Sequence, residues 1–180
     1  LCTGHYYCDK SYIVDRQNYD SFLVIYVQSG SGYAEQAGTT EPLKAGSLAF
    51  LDCYRPHRYY TRTGWEIYWL HFDGILARAY YEHATQNGFV LAPQNPYNAS
   101  HSLHKLFASF HEKNKANEAV MSKRITDLLT ELVLASSAGS VQSNQVDVMD
   151  DILAFISENA ANPISVEQLA ARANLSPFYF

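Results

Sequence analysis

The apolar residues change period at Asp73-Gly74, and that change constrains the fold more than any other feature of the chain. Before it, apolar residues alternate or run in short blocks closed by turn residues, which is the pattern of β-strands. Phe22 to Val27 is apolar on both faces, as a central strand is. Gly30-Ser31-Gly32 is expected to end that strand in a turn or bulge. Tyr33 to Gln36 then pairs across Ala37-Gly38-Thr39 with a strand ending near Leu43, a hairpin signal. Lys44-Ala45-Gly46 turns the chain into the apolar run Leu48 to Leu51, where Gly46 supplies a positive φ. A polar corner closed by Pro56 follows, and then His57-Arg58-Tyr59-Tyr60 starts a strand. From Trp65 to Phe72, alternation places Trp65, Ile67, Trp69 and His71 on one face. Residues Gly4 to Tyr19 lack clean periodicity and read as an arm plus a first strand. Several short strands at hairpin spacing predict an all-β barrel or jelly roll.

After Gly74 the apolar residues recur at three and four. Ile75, Leu76, Ala79, Tyr80 and His83 share one helical face, ended by Asn87-Gly88. Phe89 to Leu91 fits one last strand. Leu103, Leu106, Phe107 and Phe110 mark a helix from about Ser100. Met121, Ile125, Leu128, Leu129, Leu132 and Val133 mark a longer one from about Glu118. The short polar turn between them makes an α-helical hairpin. Its apolar stripes serve either to pack on the barrel or to form a homodimer seam through residues 118–135. The fold class is thus mainly β with α: a barrel over about 1–92, then helices over about 100–135. Residues 136–146 are small and polar and read as a linker.

Beyond that linker, in 147–180, Val148, Ile152, Phe155 and Ile156 form another helical stripe. Ser165-Val166-Glu167-Gln168 is a capping box, and Ser176-Pro177 is an N-cap followed by proline at the first helical position. Helix, tight turn and capped helix make the start of a helix-turn-helix.

Composition excludes several classes. With 47% hydrophobic and 17% charged residues the chain is globular, and a net charge of −5 argues against a general polyanion binder. Three cysteines without a C-x-x-C pattern fit neither a disulfide framework nor structural zinc, and point to a reducing cytoplasm. No apolar run reaches membrane-span length and no signal peptide opens the chain, so no membrane partner is expected. The chain opens at Leu1 and stops at Phe180 inside a pattern, and is expected to be a piece of a longer protein.

Gly46 and His57 stand eleven apart, and this stretch resembles the second motif of cupins. Pro163 to Phe180, with Leu169-Ala170, Leu175-Ser176-Pro177 and Tyr179-Phe180, resembles the first helix-turn-helix of AraC-type transcription regulators. Together with the barrel and the helical hairpin, this resemblance covers the whole chain. It implies a cupin-like jelly-roll effector-binding domain that is not an enzyme, needs no cofactor and holds no metal. The partner it implies is a small-molecule effector, a sugar above all. Trp69 would stack on the ring and Tyr59 would touch it, with His57, Ser29 and Arg55 as polar partners. Ser29 stands where relatives carry an arginine. The resemblance also implies DNA binding by the full-length protein through Ser176, Pro177 and Tyr179 at the start of the recognition helix. The 180-residue chain itself is expected not to bind DNA. From Asp147 onward five acidic residues face Arg172 alone, and the recognition helix is incomplete.

The competing reading is a cupin-fold metal-dependent enzyme, such as a sugar isomerase or dioxygenase. Aligned on Gly32, the metal-binding positions of the first cupin motif are Asn18, Asp20 and Ile25, which leaves His57 as the one strong ligand.

Overall fold

The computed structural model describes residues 1–91, 96–111, 117–137, 152–157, 159, 163–173 and 177–178. The chain divides into two compact units, Leu1–Gly139 and Ser140–Phe180. In the first unit the strands are β1 (Cys2–Cys8), β2 (Ile13–Arg16), β3 (Phe22–Gln36), β4 (Thr39–Lys44), β5 (Leu48–Asp52), β6 (His57–Tyr60), β7 (Trp65–Phe72) and β8 (Val90–Leu91). Its helices are α1 (Ala77–Ala84), α2 (Pro96–His111) and α3 (Glu118–Ser137).

One layer of the barrel runs β1-β7-β3-β5-β8; the far half of β3 pairs with β4 and β6, and β6 with β2. Every described pair is antiparallel. The jelly-roll barrel thus closes because one long strand serves both layers. The expected stop at Gly30-Ser31-Gly32 is instead a bend inside β3. Pairing with β7 shifts register between Val27 and Ser29, and Gly30 takes a φ of 79°. A Cβ on Gly30 would lie 2.4 Å from the Gly64 carbonyl oxygen, so a glycine bulge re-aims the strand where a side chain would collide. The β3–β4 hairpin closes with Ala37 and Gly38, both at positive φ (53° and 78°), as a two-residue primed turn requires.

Strand parity assigns the two faces. Leu23, Ile25, Val27, Ala49, Leu51, Trp65 and Ile67 point into the barrel. Phe22, Val24, Tyr26, Leu48, Phe50, Leu70 and Phe72 point outward, against Leu103 and Leu106 of α2 and Met121, Leu128, Leu129 and Leu132 of α3. Burial on both sides explains why Phe22 to Val27 carries no polar residue. Each fully buried side chain of this kind contributes roughly 1.5–3 kcal/mol. The apolar stripe of α3 is therefore used against the barrel.

The first helix begins later than its apolar period suggests. Ile75 and Leu76 precede α1 and are exposed, and the buried residues are Ala77 and Ala84. Asp52 moors this helix: fully buried, it accepts from Arg78 Nη1 at 2.6 Å and from the Tyr54 amide at 3.1 Å. Gln36 adds a second tie, accepting from the Asp52 amide at 3.0 Å and donating to the Tyr81 hydroxyl at 2.7 Å. Helix α2 starts at Pro96, a turn before the expected Ser100.

In the second unit residues 152–157 are helical, with Ile152 buried. The helix Val166–Arg172 opens on the predicted capping box: Ser165 Oγ accepts from the Gln168 amide at 3.3 Å, and Gln168 Oε1 accepts from the Ser165 amide at 2.9 Å. The Arg172 guanidinium lies 4.1 Å from the Phe155 ring centre. Pro177 is exposed in a turn, while Ser176 and Tyr179 lie outside the described residues, as does most of the expected linker. Among the described residues, no helix is long and apolar enough to cross a membrane.

Candidate functional site in the barrel interior

The inward face of β7 decides what the barrel contains. Trp65, Trp69 and His71 enter the barrel from alternate positions, and two of them need a glycine to do so. A Cβ on Gly4 would lie 2.5 Å from the Trp69 ring, and one on Gly32 would lie 2.2 Å from the Trp65 ring. Gly4 is the cross-strand partner of Trp69, so the indole lies flat across β1.

One end of the interior is filled. Trp65 and Tyr59 are buried, and the Tyr12 ring centre stands 6.3 Å from each of theirs. The Tyr12 and Tyr59 hydroxyls face each other. Burial pushes the Tyr12 phenol up to about 12 and the Tyr59 phenol further in the same direction. Cys53 joins this end; burial first, then the nearby Asp52, raises its thiol to about 12, which makes it a small apolar residue and a poor nucleophile.

The other end is polar. His57 is 3% exposed, and its Nδ1 stands 2.8 Å from the Arg55 carbonyl oxygen. A carbonyl only accepts, so Nδ1 carries the hydrogen and Nε2 of the neutral ring is an acceptor. That Nε2 is buried with no protein partner, and so are the Nε1 of half-buried Trp69 and, at the filled end, the Nε1 of Trp65. His71 is buried, 2.8 Å from Ser21 Oγ, and 5.6 Å from Trp69 between ring centres. Burial above all, then the positive charge of Arg16, pushes it down to about 4, so it is neutral near pH 7.

Two cavities open here. One, of about 460 Å³, is lined by His71, Ser21, Tyr19, Asp20 and Asn18 among others. The second, of about 450 Å³, is lined by His57, Arg55, Gln36 and Arg58 among others. Beside His57 stands Arg16, a residue that sequence reasoning missed. It pairs across strands with His57, and its guanidinium lies 4.7 Å from the Tyr19 ring centre. Its signal was the alternation Tyr12, Val14, Arg16, which aims all three inward once β2 is seen as a strand.

The structure therefore brings His57, Tyr59 and Trp69 to one interior and places Arg55 at its rim, with a largely exposed side chain 3.5 Å from Asp52. Ser29 lies elsewhere. It sits beyond the bulge, on the outward face of the sheet, where its hydroxyl donates to Glu66 at 3.2 Å. The residues aligned with the first cupin motif do not form a metal site. Ile25 is a fully buried aliphatic in the barrel core, while Asn18 and Asp20 lie in the β2–β3 loop. Among the described residues, no three or more His, Cys, Asp or Glu side chains converge as metal ligands.

The MmsAB operon regulatory protein of Pseudomonas aeruginosa is 26% identical over 188 residues, covering 98% of this chain and 59% of that protein. The chain thus spans about 59% of the length of this curated relative. The crystal structure of the AraC-like transcriptional activator CuxR superposes with a TM-score of 0.49 at 14% identity, over 92% of this chain and 64% of that one. Ectoine synthase from P. lautus superposes with a TM-score of 0.35 at 17% identity, over 38% of this chain and 51% of that one. Neither superposition bears on function. The AraC-like ligand binding domain model, in contrast, matches residues 2–129, the barrel and most of the helices behind it, and the chain belongs to that family.

Proposed function

We propose that this chain is the effector-binding and dimerisation part of an AraC-type transcription regulator, and that its ligand occupies the polar end of the barrel interior. The observation that carries the reading concerns three buried, unpartnered ring nitrogens among the described residues. His57 Nε2 belongs to a residue lining one cavity, and Trp69 Nε1 to a half-buried ring packed on His71, which lines the other. Trp65 Nε1, in contrast, is closed into the filled end. A buried polar atom without a partner costs on the order of 1–3 kcal/mol, and a polar ligand recovers that cost. Trp69 offers an indole face to the C–H face of a sugar ring, so a carbohydrate or similar small polar effector suits the site. Residues 1–135 form the effector-binding and dimerisation domain, 136–146 the linker, and 147–180 the start of the DNA-binding domain. In the full-length protein Ser176, Pro177 and Tyr179 open the recognition helix.

Binding acts by population shift, favouring one arrangement of two DNA-binding modules over another. The homodimer forms through residues 118–135 around a two-fold axis. Because the apolar stripe of α3 packs on the barrel, the seam uses its outward residues, Val120 and Leu134 with the Lys123–Asp127 pair. Light scattering of the chain at high concentration tests this: a dimer mass supports the seam and a monomer mass removes it.

The ligand reading is tested by the thermal shift of the 180-residue chain against pentoses, hexoses, disaccharides and glycosides. A ligand at a hundred times its dissociation constant adds ~2.7 kcal/mol, a shift of roughly 5–10 °C for a domain of this size. A shift that Trp69→Ala abolishes supports the barrel site. An unchanged shift in that variant moves the ligand elsewhere.

A further inference from the structure

Three basic side chains reach the polar end of the barrel, and two of them are already engaged. Arg55 has the Asp52 carboxylate at 3.5 Å, and Arg58 has Asp15 at 3.8 Å and Glu35 at 3.7 Å. Arg16 has no carboxylate partner among the described residues; its guanidinium stacks on Tyr19 instead. Its charge nevertheless reaches the interior, where it holds down the basicity of His71 and acts on Tyr12, Cys53 and Tyr59. A guanidinium at the edge of a desolvated site, with its fork of N–H donors unspent, is matched in shape and charge by a carboxylate.

Two of the unpartnered nitrogens, those of Trp69 and His57, add further requirements. Trp69 Nε1 only donates, so it asks for an oxygen acceptor. His57 Nε2, with Nδ1 turned to the Arg55 carbonyl, accepts, so it asks for a donor such as a hydroxyl. One negative group, one hydroxyl and one further acceptor describe a narrow chemical class.

Resting on the proposal that the barrel interior is the effector site, we infer that the effector is a hydroxycarboxylate, a sugar acid or a smaller hydroxy acid, rather than a neutral sugar. Its carboxylate lies on Arg16, its hydroxyl donates to His57 Nε2, and Trp69 Nε1–H donates to one of its oxygens. Arg16 supplies, from β2, the cationic contact that Ser29 cannot supply from β3.

The test compares acids with their uncharged counterparts on the 180-residue chain: glucuronate against glucose, gluconate against sorbitol, glycerate against glycerol, and lactate against lactamide. Ionic strength is held constant with sodium chloride. At least one acid is expected to raise the melting temperature by several degrees while its neutral counterpart does not. In Arg16→Gln the shift falls away, with affinity reduced at least tenfold, and Arg16→Lys recovers part of it. Arg16 is exposed, so both variants fold, as circular dichroism verifies. A neutral sugar that shifts wild type and Arg16→Gln equally, yet loses its effect in Trp69→Ala, overturns the carboxylate and keeps the barrel site. A flat response to every acid overturns the inference outright. A shift that survives in both Arg16→Gln and Trp69→Ala overturns the barrel site as well.

Discussion

Trp65 and Trp69 occupy the same face of β7, each laid across a glycine of another strand, and they meet opposite surroundings. Trp65 is 4% exposed, its Nε1 is buried beside the Cys8 thiol without a hydrogen-bond partner, and Tyr12 stands beside its ring. Trp69 is half-buried between Tyr6 and His71, and its N–H has no partner. Near Trp65 the interior is closed: the hydroxyls of Tyr12 and Tyr59 are paired and both phenols are kept neutral by burial. Near Trp69 the protein leaves a donor and an acceptor unspent beside open volume. The same side chain on the same strand is thus core at one end and ligand surface at the other. Exposure of the ring and the unspent acceptor of His57 mark the difference better than residue type does.

Removing each indole gives the largest effect and the most direct test of that contrast. Trp65→Ala is expected to cost about 3–5 kcal/mol, because it empties a closed site whose neighbours cannot collapse onto Gly32. Trp69→Ala is expected to cost well under half as much, since one side of the ring already faces open space, and to abolish ligand-induced stabilisation. Urea unfolding of both variants measures the difference. Equal costs would mean that Trp69 is core too, and the distinction between the two ends would fall.

The next effect in size is a pH dependence at the polar end. His71 sits near 4 in the folded chain against about 6.5 unfolded, through burial first and then the nearby Arg16. The unfolded chain therefore binds the extra proton between those values. The stability that neutral His71 contributes is whole above about pH 6.5 and is lost as pH falls towards 4. A loss of about 3 kcal/mol across that window is expected, with His71→Asn flattening its upper part, between pH 6.5 and 5, where carboxylates contribute little. An identical slope in the variant would place the proton uptake on another group.

Much of this was legible in the chain. The alternation of Trp65, Ile67, Trp69 and His71 gave the inward face of β7 correctly, and the two-faced apolar run Phe22 to Val27 announced a strand buried on both sides. Gly46, the Ala37-Gly38 turn and the Ser165 capping box are local devices whose chemistry needs no tertiary context. What escaped was set by pairing. Ser29 follows a bulge, and a one-residue change of register sends a side chain to the opposite face. Arg16 lies in a short strand whose inward parity becomes visible only against β6, where it stands opposite His57. Ile75 and Leu76 fit the helical period but precede the helix, because Arg78 bound to Asp52 fixes where α1 begins.

The smallest effect is expected at Ser29, and it sharpens the comparison from outside the barrel. Its hydroxyl donates to Glu66, which His5 also engages at 2.8 Å, on the face that points away from Trp69. An exposed hydrogen bond of this kind is worth little, and Ser29→Ala should change stability by no more than about 0.5 kcal/mol. Effector affinity should stay the same, measured by calorimetry on the same ligand that Arg16→Gln weakens. The pair separates the two strands that compete for the polar contact. A loss at Ser29 with none at Arg16 would mean that β3 turns its bulge inward when ligand binds, whereas a loss at Arg16 alone leaves the contact on β2.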